Sequence, residues 1–151
     1  MRVLELRRHA KRDPSADRLS PDGRRQAEDV GRTLTGGWDV IFVSPAMRTA
    51  ETVAWFLRAR GEQLVPHAVI PGLAGEGTDR SPLAMAGVVT ALLDAVPEGG
   101  RGLAVGHTPL IERAVLGISA QEIAPLAECE GVLLSREDDE HPVRVRELRI
   151  A

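Results

Sequence analysis

The chain has 151 residues, of which 43% are hydrophobic and 27% charged, with a formal net charge of −3. That length suits one domain with a buried core, so we expect a single domain over residues 1–151. The 3% of aromatic residues and the negative charge argue against a nucleic-acid surface, which needs positive charge and aromatic side chains for base stacking.

Cysteine content and hydropathy exclude further classes of protein. Cys129 is the only cysteine, which rules out an intrachain disulfide and a cysteine-based metal cluster. We expect it to be a small packed or half-exposed residue. Apolar runs are too short for a membrane span, and arginines interrupt the first ten residues, where a signal peptide would be apolar. We therefore expect a soluble cytoplasmic protein with neither nucleic-acid nor membrane partners.

Short apolar runs predict the strands of a sheet. The first, Leu4-Glu5-Leu6, ends in the basic sequence Arg7-Arg8-His9. Val40 to Val43 is entirely apolar and mostly β-branched, and Leu103 to Val105 is entirely apolar, which is typical of strands covered on both faces. Further strands are predicted at 64–70, 131–135 and 143–148.

Four helices are predicted between these strands, because apolar residues recur at spacings of three and four. Each begins at a Ser-Pro or Thr-Pro pair, in which the hydroxyl suits the N-cap and proline suits the first helical turn. The pairs are Ser20-Pro21, Ser44-Pro45, Ser81-Pro82 and Thr108-Pro109. Gly36-Gly37 is predicted to end the first helix and Gly61 the second.

The alternation of strands and helices predicts the fold class. We expect an α/β protein, a three-layer α/β/α sandwich whose mostly parallel sheet carries helices on both faces. The last two strands are predicted to form an antiparallel edge. The acidic segment Glu137 to Glu140 is interpreted as a solvated loop between them.

Basic side chains follow three of the predicted strands. Arg8 and His9 follow the first, Arg48 lies shortly after the second, and His107 ends the fourth. Ligands of open α/β sheets bind where strands end and helices begin, so these groups are expected to converge. The planar fork of arginine matches phosphate oxygens, and an imidazole can attack phosphorus, so the arrangement predicts phosphoryl transfer through a phosphohistidine.

Other titratable residues are candidates for supporting roles or for none. A general acid would protonate the leaving group, and Glu76 and Asp79, in the glycine-rich loop 71–80, are the candidates. Asp79 could instead cap the turn before Ser81. Lys11 and Arg12 are interpreted either as rim residues that contact a phosphoprotein or as a solvated loop. Arg7 is expected to face solvent or a sheet edge, and His67 and His141 to be structural.

Four segments resemble the motifs of a known family. Leu6-Arg7-Arg8-His9-Ala10 is similar to the Arg-His-Gly motif of the histidine phosphatase (phosphoglycerate mutase-like) superfamily, with Ala10 in place of glycine. Three further segments resemble motifs of that family and occur in the family's order: Leu19 to Ala27, Ser44 to Thr52, and Val105 to Pro109. The resemblance extends from residue 4 to about residue 116.

The resemblance implies specific roles. It implies His9 as nucleophile, with Arg8, Arg48 and His107 binding the phosphoryl group, and neither a metal nor an organic cofactor. The short chain is similar to small phosphohistidine phosphatases of the SixA type, which lack an obvious equivalent of the glutamate that larger members carry where Glu76 lies. Glycine at position 10 would give more backbone freedom than alanine.

Three functions are carried forward. The first is a phosphatase acting on phosphohistidine or a phosphomonoester through phospho-His9, with a phosphorylated protein or a small phosphorylated metabolite as partner. The second keeps this chemistry and takes a sugar or nucleotide phosphate as substrate. The third is a non-catalytic module that binds phosphate or a phosphoprotein. A mutase is disfavoured because the chain lacks insertions that would retain and reorient an intermediate.

Overall fold

The computed structural model describes residues 1–34, 37–63 and 67–150. Strands and helices alternate through most of this range. In chain order the elements are β1 (Arg2–Arg8), α1 (Pro21–Thr33), β2 (Val40–Val43), α2 (Met47–Ala59), β3 (Ala68–Val69), a 3₁₀ turn (Pro71–Ala74), α3 (Pro82–Ala95), β4 (Arg101–Gly106), α4 (Leu110–Ser119), β5 (Gly131–Arg136) and β6 (Arg144–Leu148).

One sheet contains all six of these strands, in the order β3-β2-β4-β1-β5-β6. The first four in this order are parallel, whereas β5 and β6 are antiparallel to their neighbours, which confirms the predicted antiparallel edge. The register pairs Arg8 of β1 with Gly106 of β4, and Val43 of β2 with Val105 of β4. Three strands that precede the predicted site residues therefore end at the same edge of the sheet.

The helices form layers on opposite faces of the sheet. Successive strand residues point to opposite faces, so Leu4 and Leu6 of β1 pack with α3 and α4 in one buried cluster. Ile41 and Val43 of β2 pack in a second cluster with α1 and α2. The predicted three-layer α/β/α arrangement is confirmed, with a hydrophobic core on each face.

The starts of two helices differ from the prediction. Ser20 and Ser81 cap α1 and α3, accepting hydrogen bonds from the amides three residues on. However, α2 begins only at Met47 and α4 only at Leu110, so Ser44 and Thr108 are not N-caps. Both hydroxyls lie instead at the edge of the sheet where the strands end.

Four other sequence predictions have different outcomes. Arg7 is buried, because its guanidinium pairs with Glu5 at 2.5 Å and donates to the Cys129 carbonyl, and the expectation of a solvent-facing residue is wrong. Cys129 is buried, as expected for a packed residue. The predicted strand segment Leu64-Val65 and the predicted helix end at Gly36 lie outside the described residues. No helix within the described ranges is long and apolar enough to cross a membrane.

Candidate active site

His9 follows β1 directly and is held in one tautomer by the backbone. Its Nδ1 lies 2.6 Å from the carbonyl oxygen of Ala10. A carbonyl only accepts hydrogen bonds, so Nδ1 carries the proton and Nε2 keeps its lone pair. The Nε of Arg48 donates to this Nε2 at 3.2 Å. The unprotonated nitrogen of His9 therefore faces a fixed positive charge.

His107, at the end of β4, faces His9 in an edge-to-face arrangement with the ring centroids 5.4 Å apart. Its Nδ1 lies 3.4 Å from a terminal nitrogen of Arg48, and its Nε2 lies 2.8 Å from the hydroxyl oxygen of Ser44. A guanidinium only donates, so Nδ1 accepts and Nε2 donates its proton to Ser44. Ser44 thus orients the second imidazole, a role that its position in the sequence does not indicate.

The pKa values of both imidazoles are lowered, which favours their neutral forms. Burial lowers the pKa of His107 to about 4, and the neighbouring charge of Arg48 acts in the same direction. Burial also lowers the pKa of His9, against the opposing effect of its hydrogen bond to Ala10 and with the help of Arg48 and Arg8. An uncharged imidazole is the form required of a nucleophile.

Asp17 holds Arg48 and the start of α2. Its carboxylate accepts hydrogen bonds from the amides of Met47 and Arg48, at 2.8 Å and 3.2 Å, and pairs with the Arg48 guanidinium at 2.9 Å. Partial burial raises the pKa of Asp17, but the hydrogen bonds from Met47 and Arg48 outweigh this effect and lower the pKa. The start of α2 therefore already has an anionic partner, supplied by the chain itself.

Arg8 lines the same cavity as His9, and its guanidinium is partly tied to the backbone. One terminal nitrogen donates to the Leu126 carbonyl at 2.8 Å and lies 4.0 Å from the Glu128 carboxylate. The Nε of Arg8 is buried and has no hydrogen-bond partner in the described part of the chain. The cavity is about 370 Å³ and is lined by Arg8, His9, Lys11, Arg12, Pro14, Arg48, His107, Thr108 and Glu128. Its walls are strongly basic, although the whole chain carries a net charge of −3.

Neighbouring residues hold the loop that follows His9. Thr52 bridges this loop to α2, because its hydroxyl accepts from the Ala10 amide and donates to the Arg48 carbonyl. Gly23 lets α1 approach the loop closely, since a Cβ at this position would lie 1.9 Å from the Lys11 carbonyl oxygen. Ala10 is completely buried and its φ is not positive, so glycine is not required there.

The carboxylates predicted as general acids lie away from this cavity. Glu76 is exposed, and neither Glu76 nor Asp79 lines the cavity around His9. Asp79 accepts a hydrogen bond from the Ser81 amide at 2.9 Å, which confirms its capping position, and hydrogen bonds from Ser81 lower its pKa. The acid role of Glu76 stays a prediction. Lys11 and Arg12 are exposed and line the cavity, and their contact with a phosphoprotein stays a prediction.

Comparisons with known proteins agree with this geometry. Residues 5–74 match the family model described as the histidine phosphatase superfamily (branch 1). No curated protein matches the sequence. Among solved structures, the protein histidine phosphatase SixA complexed with tungstate is 19% identical, with a TM-score of 0.76 over 97% of this chain and 96% of that chain.

Two further solved structures show the same fold. The putative phosphohistidine phosphatase SixA from Agrobacterium tumefaciens is 18% identical, with a TM-score of 0.73 over 99% of this chain and 98% of that chain. Phosphoserine phosphatase from Entamoeba histolytica, in complex with 3-phosphoglyceric acid, is 17% identical, with a TM-score of 0.72 over 100% of this chain and 98% of that chain. Residues 5–74 of the chain thus resemble the histidine phosphatase superfamily, and almost the whole chain shares the fold of these structures.

Proposed function

We propose that the protein removes a phosphoryl group from phosphohistidine or from a phosphomonoester through a covalent phospho-His9 intermediate. The observation that carries this proposal is the Nδ1 contact of His9 with the Ala10 carbonyl, which leaves Nε2 unprotonated beside Arg48. A neutral imidazole with a fixed tautomer is a ready nucleophile. Because the Nε of Arg48 donates to this lone pair, that hydrogen bond breaks as the phosphoryl group enters and Nε2 attacks phosphorus.

The other cavity residues support the transfer step. In this proposal Arg8 and Arg48 bind the equatorial oxygens of the phosphoryl group and stabilise their charge in the transition state. His107 lines the same cavity, and it donates to a phosphoryl oxygen when its Nδ1 takes up a proton. Nε2 of His9 forms a bond with phosphorus as the bond to the leaving group breaks, and the leaving atom takes up a proton from water or, if Glu76 is the general acid, from its carboxyl group. Water then attacks phospho-His9, which releases inorganic phosphate and restores the imidazole.

The carboxylates near the cavity favour phosphohistidine as the first substrate to test. Glu128 is the only acidic residue among those lining the cavity around His9, and it lies near Arg8. Glu76 is exposed outside the cavity. A phosphoramidate is intrinsically labile and needs less acid catalysis than an alkyl phosphate, so a site with few carboxylates suits it. A sugar or nucleotide phosphate is the second candidate, which the openness of the cavity to solvent allows.

Replacement of His9 tests the proposal. We expect His9→Ala to abolish hydrolysis of an aryl phosphate and of phosphohistidine, and to prevent the labelling of the protein by a radioactive phosphoryl donor. Arg146→Gln, on the remote strand β6, is the matched control and retains both activities. Undiminished turnover in His9→Ala would contradict the mechanism. Binding of phosphate by the wild-type protein, with no turnover of any substrate, would identify a non-catalytic module instead.

Glu76→Gln tests the acid role separately. If Glu76 protonates the leaving group, hydrolysis of an alkyl phosphate falls much more than hydrolysis of phosphohistidine, because the alkoxide is the poorer leaving group. Equal and small effects on both substrates would remove Glu76 from the mechanism.

A further inference from the structure

A second cavity adjoins the one around His9. It has a volume of about 390 Å³ and shares Arg48, His107 and Thr108 with the first. Its remaining lining residues come from the 3₁₀ turn, from the loop before α3 and from the start of α4: Ala74, Arg80, Pro109, Leu110 and Arg113. No carboxylate is present among these lining residues. Three guanidinium groups thus border one cavity.

Arg80 and Arg113 have no acidic partner in the described ranges. No ion pair is formed by either side chain, whereas Arg48 is paired with Asp17. Arg113 donates only a long hydrogen bond, of 3.4 Å, to the backbone carbonyl of Arg80. This contact joins the end of the Arg113 guanidinium to the loop that carries Arg80. Both side chains are exposed and keep most of their donors free for a ligand.

The backbone at Arg80 has an unusual conformation. Its φ of 60° lies in the left-handed region, which is unfavourable for a residue with a Cβ atom. The Arg80 amide donates to the Thr78 hydroxyl at 3.1 Å, which supports this conformation. The side chain lies against Gly75, where a Cβ would be 2.6 Å from the Arg80 Nε. Glycine at position 75 therefore leaves room for the guanidinium beside the cavity.

Charge balance indicates what this second cavity binds. Like charges that border one cavity repel one another, and an oxyanion between them removes that repulsion. Arginine offers paired donors that match the two oxygens of a carboxylate. The same cavity adjoins the first turn of α4, where the helix dipole favours negative charge.

We propose that Arg80 and Arg113 form a second oxyanion subsite, which binds a carboxylate that the substrate carries beside its phosphoryl group. This inference rests on the proposed function, because the first cavity then holds the phosphoryl group and the second holds the carboxylate of the same molecule. The carboxylate belongs either to a small phosphorylated metabolite or to an acidic side chain next to a phosphohistidine. Both sources supply the same chemistry.

Matched ligand pairs separate the two sources. The first pair is 3-phosphoglycerate and glycerol 3-phosphate, which differ in the carboxylate alone. The second pair is a phosphohistidine peptide with glutamate beside the phosphohistidine and the same peptide with glutamine. Binding is measured by calorimetry in His9→Ala protein, in which the proposed hydrolysis cannot begin. The same titrations are repeated with Arg80→Gln, Arg113→Gln, both changes together, and Arg146→Gln as the control.

In at least one pair we expect the carboxylate-bearing member to bind about tenfold more tightly, the gain of one charge-assisted contact. The double change of Arg80 and Arg113 is expected to abolish this preference, whereas Arg146→Gln is expected to keep it. The ligand pair that shows the preference identifies the source of the carboxylate. Equal binding within both pairs, binding of no ligand, or a preference that survives the double change would overturn the subsite. Turnover of an aryl phosphate by the wild-type protein is measured in parallel, and its absence would contradict the proposed function without affecting the binding comparison.

Discussion

Asp17 is a residue on which the geometry of the site depends, although it contacts neither imidazole in the hydrogen-bond network. It joins the loop after β1 to the start of α2 through two amides and one guanidinium. Arg48 in turn donates to Nε2 of His9. The position of the proposed phosphate ligand Arg48 is thus set by a carboxylate 31 residues earlier in the chain.

Asp17→Asn tests this positioning role. Asparagine keeps an acceptor for the helix amides but loses the charge that holds the guanidinium, so we expect kcat/KM for an aryl phosphate to fall about tenfold. Asp13→Asn is the matched control, because Asp13 lies in the same loop and bonds Ser15 and Arg18 instead. If Asp17→Asn changed only the melting temperature and left kcat and KM as they are, the role would be purely structural.

The lowered pKa of His107 predicts how stability depends on pH. Between about pH 6.5 and 4 the unfolded chain binds a proton at His107 that the folded protein does not bind. The free energy of unfolding therefore decreases as the pH falls through this window. In His107→Gln this contribution is absent, so the decrease is expected to be smaller.

Urea titrations at several pH values, without phosphate, measure this difference. The other groups with shifted pKa values are present in both proteins, so the difference between the two curves isolates His107. Parallel curves for the two proteins over this window would contradict the neutral state of His107 in the folded site.

The sequence predicts the four residues of the proposed site but not the residues that hold them in position. Arg8, His9, Arg48 and His107 can be found because each lies at the end of a predicted strand or in the helical turn after it. Asp17 lies in a polar loop without periodicity, and only the folded chain brings it to α2. Ser44 suits an N-cap by residue type, yet the helix begins three residues later and its hydroxyl bonds His107.

Among the elements, α1 and α2 make a close contact that depends on one glycine. A Cβ at Gly31 of α1 would lie 2.8 Å from the carbonyl oxygen of Phe56 in α2 and 2.9 Å from the Cβ of Ala59. Backbone atoms cannot yield as the end of a flexible side chain does. The two helices must therefore separate if this glycine is replaced.

We expect Gly31→Ala to lower the free energy of unfolding by about 1–3 kcal/mol, the usual cost of overpacking. Gly87→Ala is the matched change in α3, where an added Cβ meets no atom within 4 Å. It is expected to raise the free energy of unfolding by about 0.5–1 kcal/mol, since alanine is the better helix former. Denaturant titration of both variants measures the contrast, and equal effects would show that the close contact is unimportant.

Most elements can be predicted from periodicity, and the exceptions have physical causes. The buried strands β2 and β4 are recognisable because both faces are covered, which leaves only apolar residues in each run. The strand β3 falls within the predicted segment 64–70 but has just two residues, Ala68 and Val69, and both are exposed. The 3₁₀ turn at Pro71–Ala74 lies in what the glycine content predicts as a loop.

For the molecule as a whole, the basic cavities predict stabilisation by tetrahedral anions. A ligand that binds only the folded protein adds about 2.7 kcal/mol to the free energy of unfolding at one hundred times its Kd. For a chain of this length, that energy corresponds to a rise in Tm of about 5–10 °C. Thermal unfolding with and without phosphate or tungstate measures the effect.

Arg48→Gln is expected to remove most of this stabilisation, because it deletes the guanidinium that faces both imidazoles. Arg146→Gln, which deletes one positive charge from β6, is expected to keep it. If the two variants responded to the anion alike, general screening of charge would explain the rise and a specific pocket would not.

The order of strands also has a consequence for how the protein folds. β1 pairs with β4, in a register that aligns Leu4 with Gly102, and the edges of the candidate site come from both strands. Contacts between residues so distant in sequence carry a large loop-closure entropy and are associated with slow folding. The two imidazoles therefore meet only after most of the chain has been synthesised and the central strands have paired. Recovery of anion binding during refolding should thus report the completed topology, later than the return of helical circular dichroism.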